Sequence, residues 1–98
     1  MQINVTRESL TLTMALEGRL DNISSPELKD AVENSLEGVN SLILDFSKVD
    51  YISSAGLRTL LSLHKQMNDR GGMKVTNVND DVMEILQLTG FTNTLSIE

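Results

Sequence analysis

Cysteine and tryptophan are absent from this chain, and proline and histidine occur once each. Without cysteine there is no disulfide, no thiolate-bound zinc and no cysteine nucleophile. The absence fits a reducing compartment. A single histidine leaves a metal without the companion ligands it needs, so no metal is expected. Basic residues are also scarce, with 8 Lys and Arg against 14 Asp and Glu, for a formal net charge of −6. That balance argues against a general nucleic-acid or anionic-membrane surface and favours a basic partner. No apolar run approaches the ~20 residues of a membrane helix. Met1 leads straight into alternating residues rather than a leader, so a cytosolic location without membrane insertion is the expectation. Neither G-x-G-x-x-G nor G-x-x-x-x-G-K-[ST] occurs.

What is present suits one packed domain over residues 1–98. Hydrophobic residues make up 40% of the 98, and a chain of this size buries roughly 60–70% of the surface its unfolded form exposes. Ile3 and Val5, then Leu10, Leu12, Met14 and Leu16, alternate with polar residues and predict an antiparallel hairpin turning near Arg7-Glu8-Ser9. Residues 17–22 read as a loop. Ser24-Ser25-Pro26-Glu27 reads as a helix start, with either Ser25 capping before Pro26 or Ser24 capping with Glu27 in a capping box. Leu28, Ala31, Val32 and Leu36 form its apolar stripe, and Gly38 its stop.

Leu42-Ile43-Leu44-Asp45-Phe46 is a buried-strand pattern, and a second helix is expected from about Ala55 to Asp69. Gly71-Gly72 ends it, Met73–Thr76 is a short strand, Asn79 caps a third helix, and Thr94–Ile97 is a last strand. The order is β-β-α-β-α-β-α-β. It implies an α/β fold with a mostly parallel sheet, an N-terminal antiparallel hairpin and three to four helices.

The segment Val49-Asp50-Tyr51-Ile52-Ser53-Ser54-Ala55-Gly56-Leu57 places two hydroxyls at the junction of strand and helix. A helix start has free N–H groups and favours negative charge, so a serine there can cap or can carry a phosphate. Gly56 costs helix propensity near the helix start. Close approach of a partner or tight helix–sheet packing would each explain it. Connections after parallel strand ends share one edge of the sheet, so Asp21, Ser53, Ser54 and Asn79 are expected as neighbours, with Asp21 and Asp50 making that edge acidic.

His64 falls on the apolar face with Leu57, Leu60 and Leu61, and reads as an edge-of-core residue. It lies about 15 Å along the helix from Ser54, too far for a serine–histidine pair. Asp21, Asp45 and Asp50 read as turn or solvent carboxylates rather than a catalytic pair. No enzyme is expected.

The run Ser53-Ser54-Ala55-Gly56-Leu57 after a strand resembles the signature of STAS domains, the anti-sigma factor antagonist family. Gly18-Arg19-Leu20-Asp21, Leu44 through Ile52, Gly71-Gly72 and Leu88-Thr89-Gly90-Phe91 resemble further family patterns, in order, over nearly the full length. The resemblance implies a small switch protein. Unphosphorylated, such a protein binds an anti-sigma factor that is also a serine kinase, and so frees a sigma factor. The kinase phosphorylates the serine equivalent to Ser54, with Ser53 the alternative, and a phosphatase reverses this. The adenine nucleotide sits on the kinase, so the resemblance implies no cofactor for this chain. Partner contacts would involve Asp21, Asp50, Ser53, Ser54, Gly56 and Leu57. Many phosphorylated members carry Asp where this chain has Ser53. The alternative within the fold is a non-phosphorylated STAS interaction subunit of another complex, such as a lipid-transport ABC system. The oligomeric state is left open.

Overall fold

The alternating N-terminal residues do form a hairpin. In the computed structural model, which describes residues 1–98, β1 (Gln2–Glu8) pairs antiparallel with β2 (Thr11–Leu20). The turn is Ser9-Leu10, with Ser9 at φ 55° and Leu10 outside the strand that its pattern predicts. The chain continues through α1 (Ser24–Glu33), β3 (Ser41–Ile52), α2 (Ser54–Asn68), β4 (Met73–Thr76) and α3 (Asp80–Leu88). A 3-10 turn (Phe91–Asn93) then leads to β5 (Ser96–Ile97). The sheet order is β1-β2-β3-β4-β5, with β2 through β5 parallel. The expected order and strand directions are therefore observed.

This topology has a simple consequence. Each β-α-β step moves one strand over in the same direction, and right-handed crossovers then put all three helices on one face. Burial agrees. Leu12, Met14, Leu16, Leu42, Leu44, Phe46, Met73 and Val75 face the helices and are buried, while Thr11, Thr13, Ala15, Ile43, Asp45 and Thr76 on the other face are only half-buried. Strand order never reverses, so there is no switch-point crevice. The edge at the strand C-termini is a rim, not a cleft. No helix is long and apolar enough to cross a membrane.

Residues 17–22, expected as a loop, are strand as far as Leu20, and β3 extends past the Leu42–Phe46 pattern to Ile52. β2 runs on through Glu17–Leu20 by pairing with Lys48–Ile52 of β3, and Gly18 takes φ +114° there, where a side chain would be strained. β3 runs on through Ser47–Ile52 with two extra residues relative to β2. From Ala15 to Glu17, β2 advances two positions while β3 advances three, from Asp45 to Lys48. From Gly18 to Arg19 it advances one while β3 advances two, from Val49 to Tyr51. Each is a bulge. Each also turns the burial period from two into three, so Phe46, Val49 and Ile52 all point inward. Strict alternation fails there, which is why the segment looks like a loop. Asp45 pins the first bulge, accepting from the Ser47 N–H at 2.9 Å and from Asn77 Nδ2 at 3.1 Å.

The helix starts show which acceptor wins. Neither Ser24 nor Ser25 caps α1. Asp21 does, its carboxylate accepting from the N–H groups of Ile23 and Ser24 at 3.0 Å each, while its carbonyl accepts from Ser25 N. An ionised acceptor outcompetes a hydroxyl for two donors. The Ser24 hydroxyl instead accepts from Asp21 N and donates to the Arg19 carbonyl. Glu27 closes no capping box. It lies 3.8 Å from the N-terminal ammonium.

α1 also ends at Glu33, before Gly38. Ser35 N turns to the Val32 carbonyl, a tighter closing bond, and Arg70 takes up the carbonyls of Leu36 and Val39 at 2.8 Å each. Asn79 caps α3 as expected, accepting from Val82 N at 2.8 Å.

Candidate functional site

The rim at the C-terminal ends of β2, β3 and β4 is built by backbone closure. Ser53 N donates to the Leu20 carbonyl at 2.9 Å, tying the end of β3 to the end of β2. Asn79 Nδ2 donates to the Val49 carbonyl at 2.8 Å, tying the start of α3 to β3. The three connections that the sequence expects as neighbours are joined by these bonds. The bonds also consume Asn79, whose amide oxygen caps α3 and whose amide nitrogen holds β3.

The two adjacent serines part company here. Ser53 takes extended backbone angles as the cap of α2, and its Oγ accepts from Gly56 N at 3.3 Å. Its backbone is spent on Leu20 and, through its carbonyl, on Leu57 N. Ser54 is the first helical residue. It is exposed, and its hydroxyl makes no hydrogen bond within the chain.

Beneath them, a Cβ at Gly56 would come within 2.7 Å of the Leu20 carbonyl oxygen and 2.9 Å of Ile52. The close approach at Gly56 is therefore to the protein's own sheet. Leu57 is a core residue. Both were expected among the partner contacts. Burial places them under that surface instead, where they seat the first turn of α2.

The rim carries charges of both signs. Asp21, Asp50, Asp80 and Asp81 stand among Arg19, Lys48 and Arg58. Arg19 Nε lies 3.9 Å from Asp21 Oδ2, and its guanidinium sits 4.3 Å from the centroid of the Tyr51 ring. Asp21, Arg19 and Tyr51 thus form one connected strip across the ends of β2 and β3. The backbone N–H groups of Ser24 and then Ile23 hold the Asp21 carboxyl below the usual carboxylate range. The Ser47 N–H does the same for Asp45, with help from Asn77. Both are structural acceptors. Asp50 is exposed on the outer side of the second bulge.

Sequence reading missed the apolar members of this edge. Ile23 is 73% exposed and Tyr51 38%. Large apolar groups at a rim of charges have the composition of a protein-contact anchor and its surround. The available signal was Ile23 itself, a lone aliphatic residue in the polar run Asp21-Asn22-Ile23-Ser24-Ser25. His64 stands apart. It is half-buried at the opposite edge of the sheet, lining a cavity of about 280 Å³ with Asn68 and Gly72.

Comparison with known proteins identifies the fold and the family. The chain is 27% identical over 93 residues to BtrV of Bordetella bronchiseptica, a candidate anti-sigma factor antagonist, covering 93% of this chain and 80% of that protein. It is 25% identical over 100 residues to the anti-sigma F factor antagonist of Paenibacillus polymyxa, covering 99% and 86%. Its fold is similar to that of the Bacillus cell fate determinant SpoIIAA in the phosphorylated form. There the TM-score is 0.75 at 15% identity, covering 99% of this chain and 91% of that one. The STAS domain model matches residues 2–98, and the chain belongs to that family.

Proposed function

We propose that this protein is an anti-sigma factor antagonist, switched by phosphorylation of Ser54. Unphosphorylated, it docks its rim on an anti-sigma factor that is also a serine kinase, and the sigma factor is released. The kinase then modifies Ser54, docking is lost, and a phosphatase restores the antagonist. The nucleotide belongs to the kinase in this reading, and the antagonist itself catalyses nothing. The names of its relatives support the role.

The observation that carries the reading is the division of labour between the two serines. Ser53 is committed to the cap, whereas Ser54 offers a free hydroxyl on the rim. A phosphate at the first helical position meets the positive end of the helix dipole and free backbone N–H groups, so the scaffold can hold it without refolding. The partner feels the change. Adding about −1.5 to −2 charges to a docked surface can cost ~2–5 kcal/mol, or roughly 30- to 4,000-fold in affinity.

The test is incubation with a candidate kinase and ATP, with the phosphate located by mass spectrometry and binding measured by calorimetry. Phosphate should enter at Ser54. Ser54→Asp should bind the kinase weakly, and Ser54→Ala should bind tightly but resist switching. If Ser54→Asp bound as tightly as wild type and neither serine took phosphate, the proposal would fail.

A further inference from the structure

A second feature lies beside the rim, in the groove between α1 and α2. It has a volume of about 440 Å³ and is lined by Ser25, Lys29, Ala55, Arg58, Thr59 and neighbouring residues, with no carboxylate among them. In a chain with 14 acidic and 8 basic residues, a groove holding two cations and no acid runs against the overall charge. Neither Lys29 nor Arg58 forms an ion pair, since the three in the molecule are Met1–Glu27, Arg19–Asp21 and Lys74–Glu98.

A third observation is independent of charge. Ser25 is only 3% exposed, and its buried hydroxyl oxygen has no hydrogen-bond partner. A buried hydroxyl left unpaired is costly, and a missing ligand is one of the few explanations for it. Asp21 leaves Ser25 in this state by taking over the cap of α1.

We propose that this groove is a binding site for the phosphate group of a phosphomonoester, with Lys29 and Arg58 pairing its charge and the Ser25 hydroxyl donating to it. Two sources share this chemistry. One is the phosphate of Ser54 in the same chain, a source that rests on the reading of Ser54 given above. Ser54 precedes Ala55 in the groove wall and stands one helical turn before Arg58. Residues spaced i and i+4 have Cβ atoms about 5–6 Å apart. The other source is a soluble phosphate ester.

The experiment separates them. Phosphoserine is installed at position 54 during translation, without a kinase, and its second ionisation is followed by phosphorus NMR. In the first case the folded wild type titrates about half a unit lower than the unfolded chain, as expected for one cation at that range in water. Arg58→Gln and Lys29→Gln each give back part of the shift. In the second case, inorganic phosphate and O-phosphoserine shift the amide resonances of residues 25–29 and 55–59 in the unmodified protein. They do so far less in Arg58→Gln and in Ser25→Ala. Ser25→Ala removes only an unsatisfied hydroxyl, so it should fold at least as well as wild type, and its loss of phosphate response is not a folding effect. A shift that Arg58→Gln and Lys29→Gln reduce, or an amide response that Arg58→Gln and Ser25→Ala reduce, establishes the site and names its source. A phosphoserine that is unshifted, or whose shift both variants leave intact as the helix start alone would give, together with no amide response to millimolar phosphate, overturns the proposal. A kinase that fails to modify Ser54 would sink the switch and leave this result intact.

Discussion

The two halves of β3 obey different rules. From Ser41 to Phe46 the strand alternates, and Leu42, Leu44 and Phe46 form the floor under the helices. From Ser47 to Ile52 two bulges stretch the period to three, and two outward residues follow each inward one. The regular half supplies stability. The irregular half turns Asp50 and Tyr51 outward and delivers Ser53 and Ser54 to the rim. Bulges are found where a strand has to re-aim its side chains, and here they separate the part of the strand that packs from the part that presents.

That contrast can be broken at several points, with effects of decreasing size. Leu44→Ala in the regular half should destabilise the protein by ~2–5 kcal/mol, the usual cost of such a cavity. Urea denaturation would measure it, and a loss below 1 kcal/mol would mean that the floor is not close-packed. Gly56→Ala should cost ~1–3 kcal/mol, because the new methyl meets the Leu20 carbonyl oxygen and must push α2 off the sheet. Ser53→Ala should cost ~1 kcal/mol through loss of the cap.

Acid should act through both bulge and cap. The carboxyls of Asp21 and Asp45 titrate below their ordinary value of 3.8 in the folded protein. Unfolded chains therefore bind more protons in that range, so the stability these groups contribute is complete above the ordinary value and is lost as pH falls through the folded ones. Urea midpoints should show this loss below about pH 4, and Asp45→Asn should flatten part of it. Smallest of all, Ser54→Ala should leave stability within about 0.5 kcal/mol of wild type. A larger loss would show that Ser54, like Ser53, is part of the scaffold.

Sequence pattern was a good guide wherever one local rule acted alone. Alternation at Leu12, Met14 and Leu16 marked a strand. Asn79 before Val82 marked a cap. The run Ser53-Ser54-Ala55-Gly56-Leu57 marked the junction on which the family resemblance and the proposed site both rest. It failed where two rules competed. Ser24, Ser25 and Pro26 all signal a helix start, but Asp21 takes the donors because an ionised acceptor is stronger. Glu17–Leu20 and Ser47–Ile52 carry loop-like composition, but pairing with a neighbouring strand overrides it. Ile23 stands out as a lone aliphatic residue in a polar run, but without periodicity the run does not say which way it faces.

By itself, then, the amino-acid order determined the succession of strands and helices and the place where two hydroxyls meet a helix start. These depend on periodicity and turn chemistry within a few residues. Only the tertiary structure decided which hydroxyl is spent and which is free, that Gly56 is filled from below by the Leu20 carbonyl, and that Ser25 is buried beside two unpaired cations. Those outcomes depend on contacts between segments distant in the chain, and no local pattern encodes which of several capable groups reaches a shared partner first.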